Sequence, residues 1–335
     1  MTIKSIFITG GAGYCGSQLV PTLLDKGYKV TVYDIMYFGY SFLPKDHKNL
    51  TIISGDIRDV KKLKKSCENH EIFVHLACIS NDASFVLDEA LSTSVNLDAF
   101  EPMVKASKEA GIKRFIYASS SSVYGLSDKK DVKEDHPLVP LTLYNKFKGM
   151  CEPILKKYTD NNFEGVIFRP ATVCGYSERL RLDLSVNILT NHAVNNNKIT
   201  VFGGSQLRPN LHIQDYCDVV EHLINAESAK IKNQTFNVGY QNMSIMEIAE
   251  LVKKVVLREF PEKSDIPIEV TESNDNRSYH INSDKIRKEL NFHPRHSIED
   301  AIFELCNAFK KRLIPNSFED DIYFNVKRMK NLGIK

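Results

Sequence analysis

The stretch that most constrains this chain is Thr9-Gly10-Gly11-Ala12-Gly13-Tyr14-Cys15-Gly16. It follows an apolar run, Ile6-Phe7-Ile8, that reads as a buried strand, and it precedes Ser17 to Leu24, which reads as the start of a helix. Gly10, Gly13 and Gly16 therefore occupy a tight turn between strand and helix. Such a turn needs glycine where φ is positive and where a pyrophosphate must come close to the backbone. The helix start then offers free N–H groups and the positive end of its dipole to that anion. A glycine triplet alone says little; the strand before it and the helix after it make it informative.

The chain beyond the turn alternates between strands and helices. Lys29 to Tyr33 is a β-branched run ending at Asp34, which follows Gly16 at close to the spacing, about 20 residues, expected of a carboxylate that holds an adenosine ribose. A carboxylate there repels a 2′-phosphate, so the pattern favours NAD over NADP. Leu50 to Ser54 is a third strand, followed by Gly55-Asp56-Ile57. Ile72 to Leu76 is a fourth, followed by a loop from Ala77 to Ser84. One long helix is expected from Asp88 to Ala110, stopping at Gly111 and carrying Asn96, whose amide needs partners if buried. Arg114 to Ala118 is a fifth strand and leads into Ser119-Ser120-Ser121-Ser122-Val123-Tyr124-Gly125. Alternation of this kind gives an α/β fold with a parallel, doubly wound sheet, in which ligands sit beyond the carboxyl ends of the strands.

After Pro137 and Pro140 comes a helix carrying Tyr144-Asn145-Lys146-Phe147-Lys148. Tyr144 and Lys148 are four residues apart and share one face. A free phenol, with a pKa near ~10, is a poor base at neutral pH. A nearby ammonium favours the phenolate, and a serine hydroxyl such as that of Ser120 can share the substrate proton.

Bulk properties narrow the partners. Lys+Arg 44 against Asp+Glu 42 leaves a net charge of +2, with no basic stripe for nucleic acid. The seven cysteines are scattered and contain no C-x-x-C pair, which speaks against a zinc site or a disulfide framework and fits a reducing cytoplasm. Neither a signal peptide nor a membrane span is expected, so the reading is a soluble, cytoplasmic protein without a metal.

Taken together, Thr9–Gly16, Asp34, Gly55-Asp56-Ile57, Ser119–Gly125, Tyr144–Lys148, Arg169-Pro170, Arg208 to Asp215, Asn237-Val238-Gly239 and Asp275-Asn276-Arg277 resemble the extended short-chain dehydrogenases/reductases. This group contains NAD-dependent nucleotide-sugar epimerases and dehydratases. The resemblance covers residues 1 to about 310. It implies an NAD-binding Rossmann domain over residues 1–170 that also receives segments near 213–240. It further implies a smaller C-terminal α/β domain, mainly residues 171–313, that binds a nucleotide-diphosphate sugar. The tail 314–335 lies outside the pattern.

The resemblance also implies roles. Tyr144 is the catalytic base and acid, Lys148 holds the nicotinamide ribose and lowers the pKa of Tyr144, and Ser120 bonds the reacting sugar oxygen. Gly10, Gly13 and Gly16 cradle the cofactor pyrophosphate, Asp34 holds its adenosine ribose, Asp56 and Ile57 flank its adenine, and Tyr14, Cys15, Leu76 and Ala77 are further cofactor contacts. Arg208, Arg277 and Asn187 contact the sugar nucleotide's diphosphate. Arg179 and Arg181 stand between two readings, a phosphate contact and an ion pair. Dimerisation through the helices spanning Asp88–Ala110 and Leu143–Thr159 is a further expectation of the resemblance.

The chain departs from some relatives in a way that bears on chemistry. The 4,6-dehydratases of this group carry an Asp-Glu pair just after the catalytic hydroxyl residue; here those positions are Ser121 and Ser122. Fucose-pathway epimerase-reductases need a cysteine at the second position and a histidine after R-x-x-x-V-x-G; here Ser122 and Tyr176-Ser177-Glu178 stand instead. The expectation is hydride chemistry at one carbinol. A nucleotide-sugar 4-epimerase supplying surface-polysaccharide precursors leads, a C4 dehydrogenase or 4-keto-sugar reductase follows, and a non-catalytic NAD-binding regulator is the remote alternative.

Overall fold

The computed structural model describes residues 4–127, 131–272, 278 and 280–334. Twelve strands are present among the described residues: β1 (Ser5–Thr9), β2 (Lys29–Asp34), β3 (Leu50–Ser54), β4 (Ile72–His75), β5 (Arg114–Ala118), β6 (Glu164–Pro170), β7 (Thr172–Cys174), β8 (Ile199–Phe202), β9 (Leu207–His212), β10 (Thr235–Val238), β11 (Gln241–Ser244) and β12 (Ile268–Thr271). Seven of them form one parallel sheet in the order β10-β6-β5-β4-β1-β2-β3. Helices cover both faces, so its central strands read as unbroken apolar runs; Ile6, Phe7 and Ile8 have no exposed surface. The chain reverses direction of travel across the sheet between β1 and β4. That crevice is where a doubly wound sheet binds its ligand.

Thr235–Val238 closes the sheet against β6 in the register Phe236 to Phe168. The helix Ile213–Asn225 packs on the first helix, Tyr14–Asp25, with Gln18 Nε2 donating to Gln214 Oε1 at 3.0 Å. The other strands form a three-stranded sheet, β11-β9-β7, and a parallel pair, β12-β8. Helices Ser185–Asn195, Ile245–Glu259 and Ile298–Lys310 enclose a separate apolar core there, including Val186, Ile248, Val252 and Ile302. Two of these helices are begun by capping boxes, Ser244 with Glu247 and Ser297 with Asp300.

The stretch from Asp88 to Ala110 is not one regular helix. Asp88 caps a short helix, Glu89–Thr93, which runs through a π turn, Ser94–Asp98, before Phe100–Glu109. The wider turn lets Asn96 face back toward the loop after β4, where it accepts from Ile79 N–H at 2.8 Å and donates to Ile79 C=O at 2.9 Å. A π turn interrupting a helix often marks a functional position; here it fixes a loop at the carboxyl edge of the sheet. Among the described residues no helix is long and apolar enough to cross a membrane, and all seven cysteines are free thiols.

Candidate active site

A cavity of about 1160 Å³ runs along the carboxyl edge of the sheet. Its floor begins at the glycine turn. Gly10 has φ of 76°, and a Cβ there would lie 2.5 Å from Ala77 N. At Gly16 a Cβ would lie 2.4 Å from Gly11 O. Backbone against backbone at these distances admits glycine alone. Gly13 caps the first helix without any side-chain cap bond. The N–H groups of Tyr14 and Cys15, in the first turn, have no partner inside the helix. Burial pushes the Cys15 thiol up to about 12, so at neutral pH this residue brings an N–H group and no negative charge.

Asp34 ends β2 beside the turn. Its Oδ2 accepts from Ala12 N–H at 3.0 Å and its Oδ1 from Met36 N–H at 2.8 Å. Burial pushes its carboxyl up, while these two backbone donors hold it down. Each carboxylate oxygen keeps a lone pair for a ligand hydroxyl. Asp56, Ile57, Leu76 and Ala77 line the same end. The Asp56 carboxylate is held by Arg58 at 2.6 Å.

The middle of the cavity is built by β5 and the helix Leu143–Tyr158. Thr142 caps that helix, and its hydroxyl donates to Asp82 Oδ1 at 2.5 Å. Asp82, which opens a short helix, Asp82–Phe85, where the sequence suggested a loop from Ala77 to Ser84, thereby fixes the turn that carries Tyr144. Lys148 is buried and donates to Ala118 C=O at 2.8 Å, so its ammonium is pinned at the end of β5. Ser120 Oγ lies 2.7 Å from Ser122 Oγ, and Ser122 Oγ donates to Asn145 Oδ1 at 2.5 Å. Ser122 thus orients Ser120. Ser120, Tyr144 and Lys148 all line the cavity. Burial pushes the Tyr144 phenol well above its ordinary value, and the cation that opposes this most is Arg181. The expectation had given that task to Lys148.

Behind the site lies a buried ion pair. Glu152, one turn beyond Lys148, takes Arg169 Nη2 at 2.6 Å and Ser119 Oγ at 2.7 Å. Arg169 also donates to the Tyr124 hydroxyl at 2.6 Å, and Tyr124 to Asn237 Oδ1 at 2.7 Å. Arg169 and Asn237 thus brace the strand ends and do not meet the cavity.

The far wall comes from residues after 170. Arg208 lines the cavity from β9. Asn187 does not line it: this amide is fully buried, accepts from Gly175 N–H at 3.0 Å and donates to Arg181 C=O at 2.8 Å. The expected diphosphate contact is therefore replaced by a loop brace, because both ends of the amide are spent inside the protein. Arg277, with Asp275 and Asn276, lies outside the described residues. Arg179, Arg181 and Asp183 face the cavity, and so does the tail, through Phe324, Asn325 and Lys327 among others. The tail packs its Ile314 and Tyr323 with Tyr14, Leu180, Leu182 and Ile213, contacts between apolar residues too widely spaced in sequence to signal one another.

Residues 6–239 match the NAD dependent epimerase/dehydratase family. The chain belongs to that family. It is an extended short-chain dehydrogenase/reductase, and NAD is its cofactor. Among family relatives, UDP-glucose 4-epimerase of Lactobacillus helveticus is 26% identical over 342 residues, covering 94% of this chain and 99% of the relative. The dTDP-glucose 4,6-dehydratase of Streptomyces niveus is also 26% identical, covering 91% of this chain and 92% of its own. The solved UDP-glucose 4-epimerase of Thermotoga maritima, with UDP-glucose, superposes with a TM-score of 0.82 at 22% identity, over 92% of this chain and 99% of that one. The geometry fits the family's cofactor: an uncapped helix start over a glycine turn suits its diphosphate, and Asp34 suits a ribose without a 2′-phosphate.

Proposed function

We propose that this chain is an NAD-dependent nucleotide-sugar 4-epimerase, acting through transient oxidation at C4 of the sugar. The observation that carries the reading is the composition of one continuous cavity. It holds Ser120, Tyr144 and Lys148 between the glycine turn and Arg208, with serines at 121 and 122. That set can move one hydroxyl proton, and positions 121 and 122 bring no group that could eliminate water. The relatives named as 4-epimerases support the same reading.

Bound NAD supplies the hydride acceptor and donor. Tyr144 takes the proton from the C4 hydroxyl and, once the 4-keto sugar has turned its other face to the cofactor, returns it to the C4 oxygen. Ser120, held by Ser122, bonds the reacting oxygen. Lys148, fixed on Ala118 C=O, is assigned to the nicotinamide ribose. Arg208 and Arg277 are assigned to the sugar nucleotide's diphosphate; arginine's planar fork suits that contact. A role in surface-polysaccharide precursor supply, a cytoplasmic location and a homodimer belong to the same proposal. Exposed Leu143 and Met150 on the helix Leu143–Tyr158 support the dimer, and light scattering in solution tests it.

The experiment is incubation with a panel of nucleotide sugars and substoichiometric NAD, followed by chromatography and mass measurement of products. A new peak of unchanged mass is the expected result. A product two hydrogens lighter, limited by the NAD supplied, means a C4 dehydrogenase and overturns the epimerase reading. Tyr144→Phe is expected to lower kcat by about 10²–10⁴-fold while keeping NAD bound. Substantial residual turnover in that variant removes Tyr144 from the chemistry.

A further inference from the structure

Arg179 is 2% exposed, and among the described residues it forms no ion pair. Its guanidinium lies 3.5 Å over the Phe38 ring, its Nη2 donates to Asn325 Oδ1 at 2.6 Å, and its buried Nε has no partner. Arg181, 8% exposed, pairs through Nε with Asp183 at 2.8 Å, while its buried Nη2 has no partner. An isolated buried cation with an unsatisfied donor is costly unless an anion meets it. Both arginines line the cavity that the glycine turn begins. Their loop is fastened to that turn: Arg179 N–H donates to Ser17 Oγ at 3.2 Å, and Ser177 Oγ donates to Tyr14 C=O at 2.9 Å. Burial, with Arg181 beside it, pulls the Arg179 guanidinium down to about 9; a resident anion works in the opposite sense.

We infer that Arg179 and Arg181 form a two-arginine clamp on the diphosphate of bound NAD, opposite the N–H groups of the glycine turn, and that the C-terminal tail locks the clamp shut. The tail's part is specific. Asn325 holds Arg179, donates through Nδ2 to Ser80 Oγ at 2.8 Å, and donates through its N–H to Asp183 Oδ2 at 3.2 Å. Arg328 Nε donates to Tyr37 C=O at 2.9 Å on the side of β2. The tail thus spans both walls of the cavity. The assignment differs from a contact with the sugar nucleotide, because these arginines rise beside Asp34, Tyr14 and Cys15 at the turn, whereas Arg208 lines the cavity from β9. It rests on NAD as cofactor and not on the epimerase reading.

The test measures binding and cofactor retention rather than turnover. Wild type, Arg181→Met, Arg179→Met and Asn325→Ala are purified and checked by circular dichroism and melting. Retained NAD is released with acid and quantified, and the Kd values of NAD, ADP-ribose, adenosine and UDP are determined by calorimetry on cofactor-free protein. Loss of one charge-assisted bond to phosphate predicts about 10- to 100-fold weaker ADP-ribose and NAD binding in the arginine variants, with adenosine, which has no phosphate, affected far less. Asn325→Ala is expected to release NAD faster in gel filtration. Arg181→Lys is expected to recover part of the loss. Where Arg179→Met fails to fold, Arg181→Met carries the test. Unchanged ADP-ribose affinity overturns the clamp. An equal loss for adenosine and ADP-ribose overturns it too, because it marks general damage to the site. A loss confined to UDP reassigns the arginines to the sugar nucleotide. None of these outcomes changes which products the panel experiment yields, so the two proposals fail separately.

Discussion

Replacing Glu152 by alanine gives the sharpest test of how the site is braced. Glu152 and Arg169 are 3% and 4% exposed and meet through two bonds, 2.9 and 2.6 Å. Glu152 also receives Ser119 Oγ. Removing the carboxylate leaves Arg169 as a buried charge, with only the Tyr124 hydroxyl and Glu134 C=O to receive it. Breaking one side of a buried pair in this way costs about 3–5 kcal/mol. At about 2.1 cal/mol/K per residue, a chain of 335 residues has an unfolding entropy of about 0.7 kcal/mol/K, so the melting temperature should fall by about 4–7 °C. Scanning calorimetry and urea unfolding measure the change. Replacing both partners, Glu152→Leu with Arg169→Met, removes the uncompensated charge and should recover much of the loss. If Glu152→Ala stays within about 1 kcal/mol of wild type, or the double variant is no better than the single, the bracing argument is refuted.

Three further predictions concern the site. Arg181→Met removes the cation that most favours the Tyr144 phenolate, so the limb of kcat/KM that rises with pH should move to higher pH; a pH–rate profile checks this, and an unmoved or lowered midpoint contradicts it. Asp34→Asn keeps one acceptor where two backbone donors now converge. NAD should bind about tenfold more weakly and its advantage over NADP should shrink, as read by titration of both cofactors. Burial pushes the Asp183 carboxyl up, but the charge and hydrogen bond of Arg181, with Arg179 beyond, outweigh it and hold the carboxyl below its ordinary range. A carboxylate depressed by folding stabilises above its unfolded pKa, about 3.9, and that stabilisation is lost as pH falls through the lower folded value. Asp183→Asn should therefore flatten the acid side of the stability curve below about pH 4.

The parts of the fold that were legible in the sequence are those in which one local rule decides. Apolar runs such as Ile6-Phe7-Ile8 and glycines without room for a Cβ announce themselves, and so do Tyr144 and Lys148 on one helical face. Arg179 and Arg181 carried no such signal, since a buried arginine is written the same way as an exposed one. Asn187 misled for the same reason: an amide near a binding loop serves a ligand or the loop itself, and only the partners of its two ends decide. The helix expected over Asp88–Ala110 failed at its middle, where the hydrogen bonds of Asn96 to a loop distant in sequence override regular winding. The short strands Thr172–Cys174 and Gln241–Ser244 have too few residues for a pattern to stand out.

The position of β10 has a consequence for how the chain is made. A nascent chain that has emerged only to Pro170 carries six strands of the large sheet, but β6 is then a bare edge displaying Val166, Ile167 and Phe168, and the helix Ile213–Asn225 is not yet there to cover the first helix. Such an edge invites pairing with other chains. The first 170 residues are consequently not a portable cofactor-binding unit: expressed alone they should aggregate. A break placed beyond Val238 would leave the sheet closed.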